Sequence, residues 1–273
     1  GSFDDCQSIL KSIFNDLAFK DAYDLGAVNS VNWARVLAQV VYYFSAYVQL
    51  GLPARFDVAV PTGNFGNIFA GYIARRMGLP IDTLILATNQ NDILHRFFTT
   101  GRYERGEVHF SHSPAMDIQV ASNFERYLYF EFGQSPEKVK TFMSDFSSTG
   151  AATTNFDSLD TNAAFTSGRV SDEDTLATIA RVFEESGYLL DPHTAVGVQI
   201  GLANRRSKVP LVCLATAHPS KFDDVIAQAI PGIEASHPTL ELLKDLPVRK
   251  TLLEGEVRII KDFISTFNDQ QVS

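Results

Sequence analysis

The segment from Phe56 to Ala87 constrains the fold more tightly than any other. Residues 56–60 are a short apolar, β-branched run that reads as a buried strand, and Pro61-Thr62-Gly63 ends it with a turn. Apolar residues then fall at helical spacing over 67–77 (Ile68, Ala70, Tyr72, Ile73, Met77), with Gly78 placed to stop the helix. Leu84 to Ala87 follows as a second strand. Strand, helix and strand in this order form a βαβ unit, and a crossover of that kind joins parallel strands. The expected class is α/β, with three layers around a mostly parallel sheet.

The same grammar returns further on. Ser171 heads Asp172-Glu173-Asp174 as an N-cap with acids in the first turn; Leu176, Ile179, Ala180 and Phe183 share a helical face, and Gly187 stops it. Residues 188–190 read as a short strand, 194–204 as a helix, 209–215 as a buried strand, and 221–230 as a last βα step. Asn29 is read as the cap of a long helix carrying Trp33, Val36, Leu37, Val40, Tyr43 and Phe44. A helix apolar nearly all round is expected to be largely buried. Residues 131–170 are polar and turn-rich and read as loops at the rim. The expected division is a ligand-holding α/β domain over 1–230 and a peripheral helical segment over 231–273.

Composition narrows the function. A net charge of −9 over 273 residues argues against a nucleic-acid surface, which needs a basic stripe. Apolar runs such as 209–217 fall far short of the roughly 20 residues of a membrane helix, and no leader-like segment opens the chain. Two cysteines, Cys6 and Cys213, make neither a disulfide framework nor a zinc motif, so a reducing cytoplasm is the expected setting.

Three segments carry chemistry. In Val60-Pro61-Thr62-Gly63-Asn64-Phe65-Gly66-Asn67 a glycine-bearing turn joins strand to helix, so backbone N–H groups and the helix terminus converge on a spot that favours phosphate. It is neither GxGxxG nor a P-loop, and a tight turn without a ligand is the competing reading. Thr216, in Ala215-Thr216-Ala217-His218-Pro219, ends a buried strand, where ligands of open sheets sit, or simply finishes that strand. Asn29, Ser30 and Arg35 open a helix and suit an anion clamp, or serve as capping with a solvent-facing arginine. His109 and His112 are spaced like metal ligands but lack a third and read as a flexible loop pair, while His193 and His218 read as structural.

Taken together, AVNSVNWARVLAQVVYYF (27–44), VPTGNFGNIFAGYIARRMGLP (60–80), ATNQNDILHRFF (87–98), SPAMDIQVASNFERYLY (113–129), LDPHTAVG (190–197) and TAHPSKF (216–222), with GSFDDCQ at 1–7, resemble the long-form threonine synthases of bacteria and fungi. The resemblance implies a fold-type II pyridoxal-phosphate enzyme of the tryptophan synthase β kind, with an amino-terminal part missing. It implies a lyase converting O-phosphohomoserine and water to threonine and phosphate. By resemblance Gly63, Asn64, Phe65, Gly66 and Asn67 hold the cofactor phosphate, and Thr216 meets the pyridine nitrogen. Asn29, Ser30 and Arg35 match the segment that contacts the substrate's phosphate. Many relatives carry Asp where this chain has Asn67.

The family's Schiff-base lysine lies in a PTxAFKD-like segment upstream of FDDCQ. Residues 17–21, Leu-Ala-Phe-Lys-Asp, mimic it, yet they follow FDDCQ and lack the Pro-Thr turn. Lys20 is therefore not expected to be the cofactor lysine. The expected partner is the amino-terminal portion of the same enzyme, and the chain alone is expected to be inactive. The rival readings are a related phospho-lyase on another phosphorylated amino acid and a non-catalytic cofactor- or phosphate-binding fragment.

Overall fold

A computed structural model of the chain describes residues 3–27, 30, 32–154, 165–243 and 245–272. The helices in chain order are α1 (Phe3–Asn15), α2 (Leu17–Ala22), α3 (Trp33–Gln49), α4 (Gly66–Arg76), α5 (Ile93–Thr100), α6 (Phe124–Glu131), α7 (Pro136–Thr149), α8 (Asp172–Ser186), α9 (Pro192–Ala203), α10 (Asp223–Ala229), α11 (Pro238–Glu241) and α12 (Val257–Val272). The strands are β1 (Phe56–Pro61), β2 (Ile81–Thr88), β3 (Arg102–Glu104), β4 (Ala151–Thr153), β5 (Phe165–Arg169) and β6 (Leu211–Cys213). Two compact units result, one of residues 29–241 and one of 1–28 with 242–273. The smaller unit draws on both ends of the chain, whose helices α1 and α12 pack on each other.

The larger unit is built on a parallel sheet in the order β5-β2-β1-β6. Side chains alternate between the faces of a strand. Val58, Val60, Leu84 and Leu86 accordingly join one core with Ile68 and Phe69 of α4, whereas Ala59, Ile85 and Ala87 join another with Val196 and Ile200 of α9. Helices therefore cover both faces, and the arrangement is three-layered. On the α9 side the approach is close: a Cβ at Gly197 would stand 2.8 Å from the Pro61 ring, and one at Gly201 2.8 Å from the Ala59 methyl.

Several local expectations change. Asn32, not Asn29, caps α3, its side chain accepting from the Ala34 N–H at 3.0 Å. Of α3 only Val36, Val40 and Tyr43 are buried, while Trp33, Leu37, Val41 and Val48 are 44%, 50%, 62% and 63% exposed. No strand forms at 188–190. The 131–170 stretch holds α7, capped by Ser135 and burying Phe142 and Phe146, then β4, which pairs antiparallel with β3, and β5, an edge of the main sheet. The smaller unit packs α1 against α12, with Asp16 capping α2 and accepting from Lys261 Nζ at 2.5 Å. No helix among the described residues is long and apolar enough to cross a membrane.

Candidate functional site

From β1 the chain builds β2 and then β5 on one side, and returns as β6 on the other. The crevice beyond the carboxyl ends of β1 and β6 is therefore the topological switch point, where open α/β sheets bind ligands. A cavity of about 680 Å³ lies there, walled by residues 61–68 after β1, by 214–216 after β6, and by Ser30, Gln39, Tyr42 and Ala115.

The turn after β1 has an unusual backbone. Phe65 adopts φ 64° and ψ 5°, the left-handed region, immediately before α4. A left-handed residue followed by a right-handed helix folds successive N–H groups into one concavity, and the helix terminus adds partial positive charge. Side chains larger than glycine rarely take this conformation; here the ring holds it. Phe65 is buried, stacked on Phe98 with ring centres 6.0 Å apart and edge-on to Phe124 at 5.5 Å.

The loop is tied down from behind as well. The N–H and Nδ2 of Asn123 both donate to the Asn64 carbonyl at 3.0 Å, and the Tyr43 hydroxyl donates to the Asn67 carbonyl at 2.8 Å. Burial pushes the Tyr43 phenol well above its ordinary pKa, so it remains a donor. Close approach requires glycine at 63, where a Cβ would lie 2.7 Å from the Ala115 carbonyl oxygen, and leaves little room at Gly66, where one would lie 3.0 Å from Ser30 Cβ.

Across the cavity, Thr216 is exposed, three residues past the end of β6, and its N–H donates to Thr194 Oγ1 at 3.2 Å. The Thr194 hydroxyl in turn donates to Asp191, which also caps α9 by accepting from the His193 and Thr194 N–H groups at 2.9 and 3.2 Å. Burial alone would raise the Asp191 pKa, but the hydrogen bonds from His193 and Thr194 outweigh it and hold the carboxyl below its ordinary value.

Gly63, Asn64, Phe65, Gly66, Asn67, Thr216 and Ser30 thus share one cavity. Ser30 is fixed there by Asn123 Nδ2, donating to its hydroxyl, and by Arg126 Nη1, donating to its carbonyl, each at 2.9 Å. Arg35 is exposed on the first turn of α3 and is not part of the wall; Asn29 lies outside the described residues. Lys20 belongs to α2 in the smaller unit, 3.7 Å from Asp21. Burial pushes the Cys213 thiol up to about 11, which makes it a poor nucleophile. Among the described residues no three His, Cys, Asp or Glu side chains group as metal ligands. Tyr43, Asn123 and Asp191 are the supporting residues that sequence reasoning does not single out. Asp191 alone had a local signal, an aspartate directly before Pro192, the mark of a capped helix start.

The phosphate-bearing cofactor implied by the sequence resemblance can be tested against this cavity. The N–H concavity suits a phosphate without help from a cation. Gln39 Oε1, in the same wall, is buried without a hydrogen-bond partner among the described residues, an acceptor suited to a polar ligand. The residues fit such a group.

Comparison with known proteins agrees in kind. The family profile described as "Threonine synthase, C-terminal" matches residues 194–264. The threonine synthase of Pseudomonas aeruginosa is 48% identical over 97% of the chain and 57% of its own length. The crystal structure of pyridoxal-phosphate-bound threonine synthase from Brucella melitensis superposes with a TM-score of 0.86 at 45% identity, over 97% of this chain and 58% of that one. The yeast enzyme gives a TM-score of 0.84 at 38% identity, over 99% and 58%. The sheet and its helices are therefore those of fold-type II pyridoxal-phosphate enzymes, and the chain spans 57% of the length of the Pseudomonas relative.

Proposed function

Because the chain belongs to the threonine synthase family, matching the carboxyl-terminal portion of its members, we propose that it is the cofactor-holding part of an enzyme that converts O-phospho-L-homoserine and water to L-threonine and phosphate. One observation carries the reading: the N–H concavity at 63–67 and the Thr216 hydroxyl stand in the wall of one cavity at the switch point of the sheet. Pyridoxal phosphate, when bound, supplies an electron sink for elimination and replacement.

The chain's own residues do the placing. Backbone N–H groups of 63–67 grip the cofactor phosphate, and the left-handed turn at Phe65 aims them before any ligand arrives, so little ordering cost remains for binding. The Thr216 hydroxyl hydrogen-bonds the ring nitrogen without the charge a carboxylate would place there. Ser30, with Asn29 and Arg35, receives the substrate's phosphate; a helix start offering a hydroxyl and a guanidinium suits a doubly charged group. The lysine that links the cofactor and carries protons is assigned to that part of the relatives' length the chain does not span, and Lys20 has no catalytic role. By itself the chain binds the cofactor and does not turn over. Cys6 and Cys213 are free thiols, which suits a cytoplasmic setting.

Titration of the chain with pyridoxal 5′-phosphate, followed by the coenzyme's absorbance, tests the reading. Saturable binding that inorganic phosphate competes away, and that Gly63→Val abolishes, is expected. A parent chain without saturable binding refutes the assignment.

A further inference from the structure

Asp191 and His193 have more partners than a helix cap requires. A cap needs one side-chain oxygen to accept the first free N–H groups of the helix. Asp191 Oδ1 does this for α9, while Oδ2 takes the Thr194 hydroxyl, whose oxygen accepts from the Thr216 N–H. His193 adds a second branch. Its Nδ1 lies 3.1 Å from Asp191 Oδ1, and its Nε2 accepts from the Ala115 N–H at 3.2 Å.

That geometry fixes the tautomer. A backbone N–H can only donate, so Nε2 carries the lone pair and Nδ1 carries the proton directed at the carboxylate. The ring is buried and is held from the side by Phe222, 5.0 Å away between centres. Ala115 is the residue whose carbonyl oxygen sits 2.7 Å from where a Gly63 Cβ would be, so the far end of this branch rests on the phosphate loop.

We propose that Asp191 and His193 are positioning residues of the cavity: one carboxylate at the start of α9 fixes the strand end at Thr216 through Thr194, and fixes the 113–116 segment over Gly63 through the Nδ1–H tautomer of His193. The proposal rests on the reading of the cavity as a phosphate and cofactor site. Neither residue touches the ligand. Their role is to keep the two walls of the cavity, 63–67 and 214–216, in one register.

Calorimetric titration of the chain with inorganic phosphate and with pyridoxal 5′-phosphate, for the parent, His193→Phe and His193→Gln, tests this. His193→Phe keeps a ring but no acceptor for the Ala115 N–H, and binding of both probes is expected to weaken about tenfold, the scale of one lost hydrogen bond. His193→Gln restores a carbonyl acceptor and is expected to stay within about threefold of the parent on the same scale. Binding by His193→Phe equal to the parent's overturns the positioning role alone, and a parent that binds neither probe overturns the cavity reading beneath it. Long-range nitrogen–proton NMR of the parent imidazole gives a readout independent of either variant's folding: a proton on Nδ1 with slow exchange at the Ala115 amide is expected. A proton on Nε2 removes the hydrogen bond and the proposal with it.

Discussion

The loop at 63–67 and the segment at 30–35 are read from sequence as two halves of one phosphate-handling site, yet they are built in opposite ways. The loop offers backbone N–H groups and is held through the Phe65 ring, the Asn64 carbonyl and the Asn67 carbonyl. The 30–35 segment offers side chains; Ser30 is fixed by Asn123 and Arg126, but Arg35 stands exposed on the outer turn of α3. A main-chain anion site is thus part of the packing, so disturbing it disturbs the fold. A side-chain site can be altered with little structural consequence.

The first test of that contrast is Phe65→Ala. Truncating a buried aromatic costs about 3–5 kcal/mol, and denaturant unfolding should show a loss in that range together with loss of phosphate binding. A loss below about 1 kcal/mol, well under that range, would mean the ring does not anchor the loop. Thr216→Val, at the opposite wall, should leave unfolding unchanged. In the complete enzyme it should lower turnover by one to two decades, on the basis of about 1–3 kcal/mol for a positioned hydrogen bond. Unchanged turnover removes Thr216 from the site.

Tyr43→Phe isolates one tie behind the loop and should cost about 1 kcal/mol of stability, as the Asn67 carbonyl loses its phenolic donor. Asp191 bears on the acid limb. Its pKa is lowered by folding, so its contribution is complete above the unfolded carboxylate value and disappears as pH falls through the lower folded one. The stability gap between the parent and Asp191→Asn, measured by unfolding across that window, should therefore close in strong acid; a gap that persists contradicts the ion's role. The smallest effect is assigned to Arg35→Ala: stability within about 0.5 kcal/mol of the parent, an unchanged cofactor spectrum, and a raised KM for the phosphorylated substrate in the complete enzyme. Loss of cofactor in that variant would place Arg35 in the other half of the site.

The central βαβ unit was legible because its signals are local: an apolar run, a Pro-Thr-Gly turn and a helical period follow one another from Phe56 to Gly78. Edge strand β5 was not, because Phe165-Thr-Ser-Gly-Arg is mostly polar and lies far along the chain from its partner β2. The helix at 33–49 was legible as a helix, but its apolar circumference does not encode what covers each side, and Trp33, Leu37 and Val41 are exposed. At the site, Gly63, Gly66 and Thr216 could be picked out from turn and strand-end positions. Tyr43 and Asn123 could not, since a tyrosine in an apolar helix and an asparagine before another look like core and cap until the fold sets them against residue 67 and residue 64.

The left-handed turn at Phe65 bears on how far this recognition element can travel. A five-residue sequence that shaped itself could be moved into another protein as a cassette. Here the ring that keeps the backbone in place leans on Phe98, Phe124 and Tyr127, which come from two other helices. Grafting Gly63 to Asn67 onto a foreign strand–helix junction would carry over the letters and leave the shape behind. The smallest transferable piece is the turn together with the aromatic faces of α5 and α6.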